Sequence, residues 1–381
     1  MDQPSQSPLP HLAGITVVEL GQNLAAPYAA SIFGELGAEV IKVEKEGGDD
    51  ARGWGPPFVE GTATSFHLMN RNKKSIVLSL DQPEDKATFD RLIQRADVFI
   101  HNLRPGVEAK LGVDAARLMK LNPRLIYCGM NAFGHAGPMQ FKPGYEPLLQ
   151  AFSGLVSVNG DPAGPASRVG PSIVDLGTGM WTVIGALTAL LSRQASGQGS
   201  VVQTSLLETS LGWVSRHVAD YGATGKIPPR VGTGHNSLTP YQAFEASDGP
   251  VVIAAGNDRL FAKLAAVLGH PEWVQDPRFA VNAERTRNRD VLLPMIVALV
   301  RQKTAAEWTE LLERAGVPCA PIHTVPQVVA HEQTRAIGML LDAGHEQLKI
   351  MGLPLSIDGQ RPGFGSRAPA LGEHQQVLSQ E

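Results

Sequence analysis

Short β-branched runs alternate with amphipathic stretches along the first half of the chain. Residues 15–20 (ITVVEL) read as a strand buried on both faces. A stretch opened by Pro27 follows, with small and apolar residues at helical spacing, and Gly37 stops it. Residues 38–43 (AEVIKV) supply the next strand and complete a βαβ unit with a right-handed crossover. The alternation continues with a strand at 75–80, a helix at 83–95, a strand at 97–101, a helix at 107–121 and a strand at 124–128. Repeated units of this kind predict an α/β fold, an open and mainly parallel sheet with helices on both faces.

From residue 130 to 171 the pattern loosens into glycine- and proline-rich loops. A long helix is expected at 177–194, stopped by Ser196-Gly197-Gln198-Gly199, then a strand at 200–204 and a helix at 206–223. Residues 226–239 (KIPPRVGTGHNSLT) have the composition of a linker or functional loop. Beyond them YQAFEA and PVVIAA read as a hairpin around Ser247-Asp248-Gly249, followed by helices near 259–268, 291–302 and 305–314. The expected organisation is a large domain over 1–225, an inserted smaller α+β domain over 226–325, and a return to the large domain at 326–381. The last ten residues (GEHQQVLSQE) read as a short helix or a frayed tail.

Composition narrows the class. With 381 residues, 43% of them hydrophobic and 18% charged, the chain can bury a large core, which excludes global disorder. Its 40 Gly and 28 Pro are an excess over ordinary usage and forecast many turns and close backbone approaches. A net charge of -4 and 6% aromatic residues argue against a nucleic-acid or anionic-membrane surface. Cys128 and Cys319 make neither a disulfide framework nor a thiolate metal site, as expected in a reducing compartment. The N-terminal MDQPSQSPLP lacks the basic and apolar parts of a secretory signal, and apolar stretches such as 180–191 read as too interrupted to span a bilayer. The expectation is a cytoplasmic enzyme without membrane or nucleic-acid partners.

Several chemistries lose their usual signatures. The first βα turn, Gly21-Gln22-Asn23-Leu24-Ala25-Ala26, lacks G-x-G-x-x-G, and neither a P-loop nor a G-x-S-x-G elbow occurs. His331-Glu332 has no second histidine at zinc-helix spacing, and the other histidines show no metal-ligand pattern, so no metal is expected. Asp175, in IVDLGTGM, lies between an apolar run and a long helix, where free N–H groups and the helix dipole would keep it ionised. There it is either an N-cap or a nucleophile toward an acyl carbon, with Gly177 and Gly179 leaving room for a ligand. Lys42, Lys45, Arg71, Lys73, Lys74, Arg104 and Lys110 fall near strand ends, as a polyphosphate ligand would need and as ordinary solvated loops also display. Gly232-Thr233-Gly234-His235 is a flexible linker or a loop offering N–H donors to an oxyanion.

Taken in order, the segments LGAEVIKVE (36–44), DDARGWGPP (49–57), NRNKKSI (70–76), DVFIHNLRPGVEAKLG (97–112), PGYEPLLQAFSG (143–154), VDLGTG (174–179) and PYQAFEASDG (240–249) resemble the class III CoA-transferase family. Formyl-CoA, carnitine-CoA and succinate–hydroxymethylglutarate CoA-transferases are of this type. The resemblance implies a Rossmann-like large domain with a small domain, an interlinked, ring-shaped homodimer and no tightly bound cofactor, with coenzyme A and acyl-CoA as substrates. It implies that Asp175 attacks the donor thioester, giving an aspartyl anhydride and then an aspartyl-CoA thioester, with the loop at Gly232 and Gly234 shielding these intermediates. It maps the CoA site onto Leu24, Ala25, Lys45, Arg71, Leu78, Ser79, Asn102, Leu103, Arg104, Lys110, Tyr145 and Glu146. Asp81 stands where some relatives carry Lys, and Leu24 where the oxalate-using branch carries Gln.

GWGPPF, NRNKKS and TPYQAFEASDG look most like the dicarboxylate branch, with succinyl-CoA as donor. Acceptors would be succinate, glutarate, hydroxymethylglutarate, itaconate, mesaconate, malate or citramalate. Arg52 is then a candidate fork for a distal carboxylate, against the reading of a structural arginine, and His235 is a further substrate candidate. The alternatives are an α-methylacyl-CoA racemase-like epimerase, which needs a His where Tyr145 stands, and a non-catalytic CoA-binding protein.

Overall fold

The computed structural model describes residues 7–379 apart from Glu346 and Phe364. The polar residues 1–6 and the last two of the tail therefore lie outside the described residues. The chain forms two compact units: residues 1–155, 169–218 and 331–381 make the first, and 156–168 with 219–330 the second.

The first unit is built on six strands: β1 (Thr16–Leu20), β2 (Glu39–Glu44), β3 (Lys73–Val77), β4 (Val98–His101), β5 (Ile126–Asn131) and β6 (Ser200–Ser205). All pair in parallel, in the order β3-β2-β1-β4-β5-β6. The order reverses between β1 and β4, so the carboxyl ends of those two strands border the crevice where such sheets take ligands. Val17, Val18, Val40, Ile41, Val98, Phe99 and Ile100 are fully buried, as strands covered on both faces require.

One stripe of the sheet departs from this apolar rule. Register sets Glu19, Lys42 and Ser75 side by side, and Lys73 and Glu44 lie two residues along on the same face. All five are buried. The strand expected at 75–80 is accordingly corrected: β3 begins two residues earlier, at Lys73, whose ammonium reaches Glu19 at 2.7 Å and Asn70 at 2.9 Å.

Helix α1 (Ala25–Glu35) follows β1, α2 (Pro83–Arg95) precedes β4, and α3 (Ala115–Leu121) precedes β5. The single helix expected at 107–121 is broken, because Gly112 takes φ +63° and Asp114 caps a new start at Arg117 N. Helix α4 spans Glu146–Phe152, α5 Ile173–Ser196 and α6 Leu206–Trp213. The α5 helix starts four residues before the expected 177, so Asp175 lies inside its first turn and Ser172 takes the N-cap place.

At 24 residues, with a mean hydropathy of 1.5 in its most apolar window, α5 is long and apolar enough to cross a membrane, which corrects the expectation for that region. Half of that window is buried inside the protein. Its glycines fit it to its neighbours: a Cβ on Gly179 would lie 2.8 Å from Ala25 O, and one on Gly177 2.8 Å from Thr209 Cγ2.

In the second unit β7 (Tyr241–Glu245) and β8 (Pro250–Ala254) form the expected hairpin, and β9 (Cys319–Pro321), unforeseen, completes an antiparallel sheet in the order β9-β8-β7. Helices α7 (Asp258–Val267), α8 (Arg289–Val300) and α9 (Ala305–Ala315) pack their apolar faces on it around Phe244, Ile253, Phe261, Leu264, Trp273 and Trp308. A Thr304–Glu307 capping box starts α9, and Gly316 at φ +68° ends it.

Candidate active site at the carboxyl ends of the strands

The rim of the sheet gathers eight of the residues singled out from the sequence. Leu24 and Ala25 follow β1, Lys45 follows β2, Leu78 and Ser79 follow β3, and Asn102, Leu103 and Arg104 follow β4. These are the carboxyl ends of four adjacent strands on both sides of the switch point. Arg104 and Lys110 are exposed, with no ion-pair partner among the described residues. Lys45 is exposed and pairs with Asp50 at 2.8 Å, a contact that an incoming phosphate can displace at little cost. Tyr145 caps α4 and is half exposed, while Glu146, the next residue, is buried.

Three assignments need correction. Arg71 is buried and ion-paired with Glu35, and its guanidinium also donates to Leu68 O, so it braces α1 from below instead of meeting phosphate. Arg52 spends its whole fork inside the protein: Nε and Nη2 donate to Glu44 at 2.9 and 2.7 Å, and Nη1 to Pro369 O at 3.1 Å. Its guanidinium also stacks on Phe66 at 3.9 Å, which leaves no face for a substrate carboxylate. Burial pushes the Glu44 carboxyl up, but bonds from Arg52, the charge of Lys42 and the Ser75 hydroxyl outweigh it and hold it below its ordinary value. Asn102 stands at the rim, but its amide is spent on Gln22, accepting from N at 2.9 Å and donating to O at 2.7 Å.

Asp175 is the third residue of α5, and its carboxylate has no hydrogen-bond or ion-pair partner among the described residues. Burial, with the negative charge of Glu146 as a second cause, raises its carboxyl from 3.8 to about 7. The expectation that the helix N-terminus keeps it fully ionised is thereby corrected. Glu146 accepts from Gln150 Nε2 at 2.6 Å through Oε1, and its Oε2 is buried without a hydrogen-bond partner. Gly177 and Gly179, expected to admit a ligand, instead admit α6 and α1.

Gly232, Gly234 and His235 belong to the second unit. Gly232 takes φ +58° and its N–H donates to Gly160 O at 3.0 Å, while Gly234 N–H donates to Val231 O at 2.8 Å. Neither N–H is free for an oxyanion here. His235 Nδ1 accepts from Ser237 N at 3.2 Å, and its ring meets Tyr241 edge-on. Lys42, singled out as a cation for phosphate, is instead buried between Glu19 and Asp49, two partners that sequence reasoning missed; a charged residue in an otherwise apolar strand, as at Glu19, was the available signal.

A doubly wound parallel sheet with an unpartnered carboxylate and free cations at its strand ends defines an α/β group-transfer enzyme for an anionic substrate. The chain belongs to CoA-transferase family III, whose model matches residues 12–375. It is similar to the acetyl-CoA:oxalate CoA-transferase of Acetobacter aceti, 38% identical over 97% of this chain and 95% of that one. It is 34% identical to the succinyl-CoA:glutarate CoA-transferase of Mus musculus, over 97% of this chain and 86% of the mouse protein. Among solved structures, a CAIB/BAIF family protein from Brucella suis shares 36% identity with a TM-score of 0.87, covering 98% of this chain and 99% of its own. Rv3272 from Mycobacterium tuberculosis shares 31% identity, again with a TM-score of 0.87, over 98% and 99% of the two chains. This chain is a CoA-transferase, moving CoA between an acyl-CoA and a carboxylate.

Proposed function

We propose that the enzyme moves CoA from succinyl-CoA, or another dicarboxylyl-CoA, to a dicarboxylic acid, with Asp175 as the covalent nucleophile. The observation that carries this reading is the Asp175 carboxylate: raised to about 7, free of partners among the described residues, and on the helix packed against α1. Ionised Asp175 attacks the thioester carbon, the C–S bond breaks, and CoA leaves as thiolate from a mixed aspartyl anhydride. The thiolate then attacks the aspartyl carbonyl and expels the donor acid, leaving an aspartyl-CoA thioester. The acceptor carboxylate attacks that thioester, and the returning thiolate then attacks the acceptor's carbonyl in the second anhydride, releasing the new acyl-CoA and Asp175. Each anhydride conserves the activation of the thioester, so the sequence needs no ATP and no tightly bound cofactor.

The CoA site comprises Leu24, Ala25, Lys45, Leu78, Ser79, Leu103, Arg104, Lys110, Tyr145 and Glu146, a reading supported by the place of the first seven along the strand ends and by the free cations Arg104 and Lys110. Gly232 and Gly234 shield the intermediates, which requires their loop to exchange its present bonds. The second unit is the inserted small domain. A homodimer of interlinked chains is supported by the apolar face that α5 leaves open at Met180, Trp181, Ile184 and Leu191, and the working compartment is the cytoplasm.

The dicarboxylate preference draws on relatives named for glutarate, D-citramalate and mesaconate. The test is transfer from succinyl-CoA to a panel of those acids with itaconate, malate and hydroxymethylglutarate, and from acetyl-CoA to oxalate. Borohydride added with succinyl-CoA should reduce the acylated aspartate and change the mass of the peptide holding Asp175. An unlabelled peptide, or full transfer by Asp175→Ala, defeats the nucleophile assignment. Transfer to monocarboxylates alone defeats the dicarboxylate acceptor, and transfer from acetyl-CoA but not from succinyl-CoA defeats the dicarboxylyl donor.

A further inference from the structure

Below the rim, three buried or half-buried polar side chains converge on one turn. Gly21, Gln22 and Asn23 lead from β1 to α1. Lys42 Nζ donates to Gly21 O at 2.9 Å, Asn102 takes both the N–H and the C=O of Gln22, and Asp49 Oδ1 accepts from Asn23 N at 3.1 Å. Lys42 and Asp49 also meet each other at 3.0 Å. The three come from β2, the loop after it and the end of β4, and so grip the turn from both sides of the switch point. Asn23 is held at φ 69°, a left-handed conformation uncommon outside glycine.

Stability alone does not explain this arrangement. Well-packed apolar side chains often serve a core as well as a buried ion network does, so the use of these charges lies in what they hold. In a dinucleotide-binding sheet the N–H groups of this turn face a pyrophosphate; here those of Gln22 and Asn23 face Asn102 and Asp49. Two residues further on, Ala25 O abuts Gly179, one helical turn after Asp175.

We propose that Lys42, Asp49 and Asn102 are positioning residues that clamp the turn from Gly21 to Ala25 and, through the Ala25–Gly179 contact, set the Asp175 carboxylate against the wall that receives the thioester. This rests on the reading of Asp175 as nucleophile and of Leu24 and Ala25 as part of the CoA site. It makes Asn102 act through the turn and not as a direct ligand of CoA.

Transfer is measured for wild type, Asn102→Ala, Asp49→Ala and the double variant, with succinyl-CoA and with the truncated donor succinyl-N-acetylcysteamine. Each single change should lower kcat about 10- to 100-fold, as misplacement by an ångström does, and by the same factor for both donors. The double variant should lose less than about threefold more than the worse single, because both residues hold one turn. Multiplying losses, or a loss confined to the KM of succinyl-CoA and missing with the truncated donor, overturns the clamp. If Asp49→Ala does not fold, the two-donor comparison on Asn102→Ala decides the question alone. Borohydride labelling separates the layers: an unlabelled wild type removes the nucleophile reading and the clamp with it, whereas a labelled wild type with multiplying variants removes only the clamp.

Discussion

Replacing Glu146 by Gln tests the electrostatics of the site without touching the nucleophile. The change keeps the shape of the side chain and removes the negative charge that is the second cause of the raised Asp175 carboxyl. Burial, the larger cause, stays, so the carboxyl should fall less than half of the way from about 7 toward 3.8. Attack needs the ionised form, so the acidic limb of kcat/KM against pH should lie near 7 in wild type. In Glu146→Gln it should move down by about one pH unit, and the ionised fraction at pH 6 should rise from roughly a tenth to roughly a half. The assay is initial-rate transfer from succinyl-CoA between pH 5 and 9. The position of the limb is read independently of any loss in its height, which a contact of Glu146 with CoA would also cause. A limb that stays in place, or moves up, refutes the coupling of the two carboxylates.

Three further outcomes follow from the same geometry. Arg52→Gln leaves the Glu44 carboxylate buried beside a lost partner and should cost about 3 kcal/mol in denaturant unfolding, with the KM values of di- and monocarboxylates changing by one common factor; a selective rise for dicarboxylates would restore Arg52 to the substrate pocket. Gly179→Ala pushes a methyl to 2.8 Å from Ala25 O and should cost about 1–3 kcal/mol together with transfer activity; an unchanged variant would show that α1 and α5 can part freely. Asp175→Asn should abolish transfer yet stabilise the fold, because a carboxyl raised in the folded state from 3.8 to about 7 makes stability fall as pH climbs through that window and level off above it. The gain in Tm over wild type should therefore grow from pH 4 to 7 and then stay constant, and a constant gain at every pH would contradict the raised value.

The sheet was legible because its strands carry the β-branched runs that double burial demands, and the helices because their apolar residues recur at helical spacing. Asp175 was legible as a residue but not in its state. The sequence places it near a helix start, where the dipole contributes about 0.3–1 kcal/mol, while the burial that pushes its carboxyl upward comes from packing that no local pattern displays. The cations were misread for a related reason. Arg52, Arg71 and Lys73 look like loop charges beside a ligand, yet Glu44, Glu35 and Glu19 lie 8, 36 and 54 positions away and absorb them. Spacing reports neighbours within an element, and these pairs form between different elements. The turn at 21–23 shows the converse: the missing glycine fingerprint is readable within the turn, but Asp49 and Asn102, which take up its N–H groups, come from the loop after β2 and the end of β4.

The raised carboxyl also bears on the direction of the proposed chemistry. In the first mixed anhydride, CoA thiolate can attack either carbonyl. Attack on the substrate side expels Asp175 and returns the starting thioester; attack on the aspartyl side expels the substrate acid and moves the reaction forward. The better leaving group is the weaker base. An ordinary carboxylic acid has a pKa near 4.3, whereas the Asp175 carboxyl is raised to about 7. A substrate acid that keeps its ordinary pKa in the site would be the easier of the two to expel, and the proposed anhydride would then divide in favour of the aspartyl-CoA thioester. The same basicity makes ionised Asp175 a stronger nucleophile toward the incoming thioester than an exposed aspartate would be. Burial beside Glu146 thus costs folding stability at neutral pH and, in the proposed mechanism, gives in return a nucleophile that is slow to leave once it has attacked.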